Sequence, residues 1–250
     1  MPHPSYFERV YKLCRENGAL FIADETQTGL GRTGDNYWGF QNYRGFIPDI
    51  VTCGRPLGSG HPIGAAVTSE RVSKKLGAYF STFGGNPVSC AIGLTVLDVI
   101  KNENLMSSCK SVGRVLFQSL NELKNRYPEW MGDIRGHGLV VGIEIVSDQE
   151  SRAPNSPLAV NIMYSLKADE KTLVGISGKH RNVLFISPPM CFNMENCRRL
   201  VNSIENVLAK VKFQIEFSPE EFENNGKTMQ VKIAKAYENF IALIEYDLAN

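Results

Sequence analysis

The chain has no C-x-x-C pair among its six cysteines and no His-x-x-x-His set among its four histidines, which argues against a structural zinc site. Charge of either sign is missing in surplus: 27 Lys and Arg stand against 26 Asp and Glu, for a net charge of +1. Nothing in that balance attracts nucleic acid or an anionic membrane over a distance, so small-molecule or protein partners are expected instead. No apolar run approaches the roughly 18 residues that a membrane span requires. The opening Met-Pro-His-Pro-Ser-Tyr-Phe-Glu has neither a basic segment nor an apolar one, and it is too acidic for a transit peptide. The expectation is an intracellular protein of the cytoplasm or mitochondrial matrix, with Cys14, Cys53, Cys90, Cys109, Cys191 and Cys197 reduced and mostly buried.

What is present is a chain of 250 residues, 43% hydrophobic, long enough for one large domain or two smaller ones. Ser5 and Glu8 have the spacing of a capping box, and Phe7, Val10, Tyr11 and Cys14 follow at helical intervals until Asn17-Gly18. Ala19 to Ala23 reads as a short strand buried on both faces of a parallel sheet, delivering Asp24 at its carboxyl end, where open α/β sheets place ligands. Further strands are predicted at Ile50–Cys53 and Ala65–Thr68, on either side of a glycine-rich loop containing Arg55. Asn86 and Pro87 predict a helix start, with the helix running to about Asn102. A longer amphipathic helix to about Arg126 and a strand over Gly138–Val146 follow.

This alternation predicts an α/β architecture. The division expected is 1–105 as part of a large domain, 106–213 as a smaller α/β domain, and 214–250 as a divergent helical tail. Ser218-Pro219 and Thr228 are candidate helix starts in that tail. Ala234, Tyr237, Ile241, Ile244 and Leu248 recur over barely two heptads, which suits a helix packed on its own domain better than a partner-binding one.

Gly29-Leu-Gly31-Arg-Thr-Gly34 satisfies the dinucleotide fingerprint G-x-G-x-x-G but fails on context. Asp24 to Thr28 separate it from the strand, and Asp35-Asn-Tyr-Trp-Gly-Phe after it has no apolar helical period.

A different set of blocks is more specific. Asp24-Glu25-Thr26-Gln27, Gly31-Arg32-Thr33-Gly34, Trp38-Gly39-Phe40, Pro48-Asp49-Ile50-Val51-Thr52 and Ser81-Thr82-Phe83-Gly84-Gly85-Asn86-Pro87 together resemble class III aminotransferases that depend on pyridoxal phosphate (PLP). Gly132-Asp133-Ile134-Arg135-Gly136, His180-Arg181-Asn182-Val183-Leu184 and Pro188-Pro189-Met190-Cys191-Phe192 extend the match to about residue 213. The wording of these later blocks is closest to the ethanolamine-phosphate and phosphohydroxylysine phospho-lyases and the alanine-glyoxylate aminotransferase 2-like branch. The resemblance implies a partial fold-type I PLP-dependent transferase: the C-terminal half of the large parallel-sheet domain and the small α/β domain. The family's large domain begins well before the point matched by Pro4–Phe7, so the first phosphate loop and the aromatic that stacks on the cofactor have no counterpart in this sequence.

Roles carry over residue by residue. Asp24 matches the acid that keeps the pyridine nitrogen protonated so that the ring acts as an electron sink. Thr26 stands where the family usually packs a valine on the ring. Gln27 matches the partner of the ring's phenolic oxygen, and Thr82 the threonine that binds the phosphate of a neighbouring subunit. Arg55 occupies the place of the Schiff-base lysine. A guanidinium keeps its proton above about pH 12 and its lone pairs are delocalised, so it cannot attack an aldehyde. Phe185 falls where aminotransferases carry a carboxylate-gripping arginine and the phospho-lyases a lysine; Arg181 is near but out of register.

The expected activity of the family is transamination or carbon–oxygen lysis of amines and amino acids. Arg55 and the missing half favour a pseudoenzyme that pairs, as a homodimer or heterodimer, with a family member. An active enzyme and a truncated product without a stable fold are the other two readings.

Overall fold

The computed structural model describes residues 2–217. The described chain divides into two compact units. The first comprises residues up to Val115 with Gly136–Val140 and Pro188–Asn193; the second comprises Leu116–Arg135, Val141–Ser187 and the chain from Met194.

The first unit opens with α1 (Tyr6–Glu16), then β1 (Ile22–Asp24), a 3-10 turn at Gly39–Asn42, β2 (Ile50–Cys53), a second 3-10 turn at Arg55–Gly58, β3 (Ala65–Thr68), the one-turn α2 (Glu70–Ser73), α3 (Pro87–Asn102) and the start of α4 (Leu105–Arg126). Its sheet has the order β1-β2-β3, with β1 parallel to β2 and β3 antiparallel to it. Register pairs Ile22 with Ile50 and Asp24 with Thr52, so the strand-end acid faces a hydroxyl on its neighbour. The predicted bounds of β2 and β3 and the Asn86-capped α3 are observed. Asn86 Oδ1 accepts the Ser89 amide at 2.9 Å, and Pro87 supplies the first helical position, whose amide would have no partner in any case.

Two local expectations are corrected. The Ser5–Glu8 capping box does not form, because Ser5 adopts helical rather than extended backbone angles. Its hydroxyl meets His3 Nδ1 at 2.9 Å, and Glu8 pairs with Lys12 one turn on. The strand expected at Ala19–Ala23 is Ile22–Asp24, and it is not buried on both faces: Ile22 is 55% exposed and Leu20 43%. β1 is an edge strand, with a partner on one side only among the described residues.

An aromatic cluster holds α1 against β1. The Phe7 and Tyr43 rings lie 4.6 Å apart, Phe21 and Phe46 5.2 Å, and Tyr11 and Phe21 5.9 Å. Beneath it sits Asp49, whose buried carboxylate accepts the Phe21 amide at 2.8 Å and ion-pairs with Arg15 at 2.9 Å and Arg71 at 2.8 Å. A second apolar cluster joins Leu30, Cys53, Leu57 and Ile100.

The second unit contains the rest of α4, most of β4 (Met131–His137) and β5 (Val140–Ile145), then α5 (Ser156–Ala168), β6 (Gly175–Ser177), β7 (Val183–Ile186) and α6 (Met194–Phe217). The strand order is β4-β5-β7-β6, with β7 antiparallel to both of its neighbours. Leu116, Leu120, Leu123, Ile143, Ile162, Leu166, Leu184, Ile204 and Leu208 are fully buried there. α6 takes the last part of the expected small domain on to Phe217. Ser218-Pro219, Thr228 and the Ala234–Leu248 pattern lie outside the described residues. All six cysteines are unpaired thiols, but only Cys53, Cys109 and Cys197 are buried; Cys90 and Cys191 are exposed, contrary to the expectation for most of them. Burial pushes the Cys109 thiol up to about 11.

The Asp49 carboxyl is raised by burial, but the Phe21 amide and the Arg15 and Arg71 guanidiniums outweigh that and leave it lowered. A lowered carboxyl contributes stability above the ordinary carboxylate range and loses it as pH falls through the folded-state value. Asp49→Asn is therefore expected to cost about 1–3 kcal/mol near pH 7 and to flatten the acid limb of the stability curve, read by urea unfolding between pH 7 and 3. An unchanged acid limb would remove Asp49 from the account.

Candidate functional site

The site is built on the turn that leaves β1. Asp24 ends the strand, and its Oδ1 accepts the Thr26 amide and the Thr52 hydroxyl, each at 3.1 Å. These bonds, with the Thr26 amide first, hold the exposed Asp24 carboxyl below its usual range and keep it anionic. Its Oδ2 has no hydrogen-bond partner among the described residues.

Glu25, the next residue, points the other way and is 4% exposed. Its carboxylate accepts the Gly39 amide at 2.7 Å, the Phe40 amide at 2.6 Å and the Thr28 hydroxyl at 2.7 Å. A buried carboxylate needs such donors in place of water. The cage leaves no room for side chains: a Cβ on Gly39 would lie 2.6 Å from Thr28 Cβ, and one on Gly29 would lie 2.8 Å from the Glu25 carbonyl oxygen. Turns, rather than a helix, follow through Gly34, with Leu30 at φ 61° and Gly31 at φ 82°, so the G-x-G-x-x-G stretch opens no helix.

Within the turn, Thr26 lies against the Arg55 loop, its Cγ2 3.4 Å from where a Cβ on Gly54 would stand. Arg55 Nη2 donates to Gln27 Oε1 at 3.0 Å. That bond occupies the amide oxygen of Gln27 and leaves its NH2 group as a donor. Asp24, Thr26, Gln27 and Arg55 are thus brought together at the carboxyl ends of β1 and β2. Thr82 is not joined to them; it lies exposed in the loop before α3. Nearby in that loop, Tyr79, Phe80 and Phe83 are 85%, 91% and 82% exposed.

Three residues of the site carried no expected role. Thr52 is placed on Asp24 by strand register, Glu25 fixes the turn, and Arg32 reaches Pro188 O at 2.5 Å. Burial lowers the Arg32 guanidinium, Cys109 opposes this, and the positive charge of Arg55 adds to the lowering. A cavity of about 340 Å³ beside Asp24 is walled by Phe7, Phe21, Phe40 and Tyr43. Thr26, Gln27, Arg55 and Thr82 do not line it. In the second unit, Phe185 sits on β7 opposite Gly142 and Gly175, its Cβ and ring 3.7 Å from where a Gly175 side chain would stand. Arg181 lies in the β6–β7 turn at φ 52°.

Set against PLP, the polar atoms fit the ring and misfit the anchor. Asp24 offers an ionised oxygen for a ring N–H, and Gln27 offers an amide donor for a phenolic oxygen. Position 55 offers no amine for an aldehyde.

Residues 1–208 match the family described as aminotransferase class III. The chain is 42% identical over 212 residues to the ethanolamine-phosphate phospho-lyase homolog 1 of Caenorhabditis elegans, a match covering 83% of this chain and 45% of the relative. It is 41% identical over 215 residues to the alanine–glyoxylate aminotransferase 2-like protein of Drosophila melanogaster, covering 84% and 43%. Among solved structures, a phospholyase from Arthrobacter in complex with phosphoethanolamine superposes with a TM-score of 0.78 at 37% identity, covering 82% of this chain and 48% of that one. A transaminase from the marine bacterium Virgibacillus gives 0.79 at 30% identity, covering 86% and 50%. The chain belongs to the class III aminotransferase family, and its fold is a partial fold-type I transferase. That membership implies PLP as the cofactor. The chain spans about half the length of the relatives it matches.

The Glu25 cage predicts that Glu25→Ala, which strands two backbone amides and a hydroxyl, lowers the unfolding free energy by about 3 kcal/mol or more in urea titrations. A loss under about 0.5 kcal/mol, the size usual for a surface substitution, would contradict the cage.

Proposed function

We propose that this chain is a catalytically inactive member of the class III family that keeps non-covalent contacts for PLP. The single observation that carries the reading is the Arg55–Gln27 bond: a permanently charged guanidinium is seated among the ring-binding residues where the family's chemistry needs an amine that can shed its proton. When bound, PLP supplies an electron sink for a carbanion on the substrate. Asp24 would accept the ring N–H and keep it protonated, Gln27 would donate to the phenolic oxygen, and Thr26, beside Gly54, would pack on the ring.

The lysine of the family also moves the proton at the substrate carbon, a role worth about 10²–10⁴-fold. Arg55 cannot take or return that proton, because its conjugate base is not populated near neutral pH. On the same reading the chain is intracellular, in the cytoplasm or mitochondrial matrix, and its family's substrates are small amines or amino acids.

A second reading is an interaction fragment that pairs with a full-length relative and lends Thr82 to the relative's phosphate site. The exposure of Thr82 together with Tyr79, Phe80 and Phe83 supports it, since an apolar segment of this kind suits a protein interface. Copies of this chain pairing with each other use the same surface.

The purified chain with PLP, supplied with ethanolamine phosphate or with alanine and glyoxylate, is expected to release phosphate or form glycine no faster than free PLP does. Saturable turnover above that background overturns the inactive reading. Co-purification with a full-length relative supports the second reading, and its absence removes it.

A further inference from the structure

This inference rests on the cofactor reading above: residue 55 stands where the family's lysine captures the aldehyde, so it would face the 4-substituent of the ring. Arg55 presents a planar fork of five N–H donors, of which one is directed to Gln27 Oε1. It forms no ion pair with a carboxylate among the described residues. A second guanidinium stands on the adjoining turn. Leu30, two residues before Arg32, and Leu57, two residues after Arg55, are buried in the same cluster with Cys53 and Ile100. The two charges act on one another, since Arg55 contributes to the lowering of Arg32 after burial. A planar carboxylate matches the Arg55 fork with two parallel bonds.

On the other side of Thr26 the polarity reverses. Asp24 Oδ2 is an unpartnered acceptor on an ionised group. The two groups flank one short turn, held together by the Thr26–Gly54 contact and the Arg55–Gln27 bond. The complementary ligand carries a cationic N–H at one end and a carboxylate at the other.

We propose that Arg55 converts the site from one that captures an aldehyde to one that selects a pyridinium ring bearing a carboxylate in the aldehyde's place. The ligand class is an oxidised pyridoxyl compound, for which 4-pyridoxic acid is the probe. Recognition is ionic: no bond forms or breaks, and no co-reactant is needed. Lysine at position 55 would offer a point charge without the fork. The substitution therefore changes which oxidation level of the ring's 4-substituent is held.

The test uses the intrinsic fluorescence of 4-pyridoxic acid in equilibrium titrations of the full chain, with pyridoxine, the 4-alcohol, as competitor. The wild type is expected to prefer the acid over the alcohol by about tenfold or more, the usual worth of a charge-assisted bond. Arg55→Met is expected to bring the affinities for acid and alcohol within about twofold of one another, whatever the common loss from freeing Gln27, with circular dichroism confirming the fold. Arg55→Gln, which keeps a donor without the charge, is expected to behave like Arg55→Met. Equal affinity of the wild type for acid and alcohol overturns the proposal and leaves the ring site standing. Failure of both ligands to bind overturns the cofactor reading and the proposal together.

Discussion

The buried Glu25 carboxylate fixes the turn on which everything else at the site depends. By drawing the amides of Gly39 and Phe40 and the hydroxyl of Thr28 onto itself, it closes the chain over residues 25–40 into one compact loop. Asp24 before it and Thr26 and Gln27 after it are then presented together at the sheet's carboxyl end. Two glycines, Gly29 and Gly39, permit the closure because a Cβ at either would collide with atoms 3.0 Å or less away. Had the carboxylate lacked these donors, burying it would have cost more than the loop could return.

Burial is distributed unevenly. The second unit has a dense core around Leu116, Leu120, Ile143, Leu184 and Ile204. In the first unit, Ile22, Val67, Leu76, Tyr79, Phe80, Phe83, Val88 and Leu94 are exposed, and β1 is paired on one side only among the described residues. That pattern accords with a chain that spans about half of each relative it matches. An open strand edge beside exposed apolar side chains is a surface suited to association.

Sequence signals were most legible where they were local. Asn86 followed by Pro87 starts α3, and the short apolar segments Ile50–Cys53 and Ala65–Thr68 are β2 and β3, because cap and strand preferences act over a few residues. The exposure of β1 departs from expectation, since an apolar run tells what a strand would bury but not whether a second neighbour is there to cover it. The Ser5–Glu8 box failed because its spacing is necessary but the backbone angle of Ser5 decides. β4 carries little strand signal in its sequence: Gly132, Asp133 and Gly136 have poor strand preference, and pairing with β5 overrides it. Family resemblance brought Asp24, Thr26, Gln27 and Arg55 to notice. The Gln27–Arg55 bond joins residues 28 apart in sequence and was not readable from either loop alone. Thr52 could have been found from the parallel register that places it beside Asp24.

The central proposal is that Asp24 and Gln27 keep their contacts for the ring and that the side chain at position 55 withholds the covalent bond. Borohydride reduction in the presence of PLP, followed by peptide mapping of the wild type and of Arg55→Lys, tests it most directly. The account predicts no label at residue 55 in the wild type and a single saturable label at that position in Arg55→Lys. If Arg55→Lys remains unlabelled while folded, the geometry around Asp24 and Gln27 does not hold the ring, and the account is contradicted.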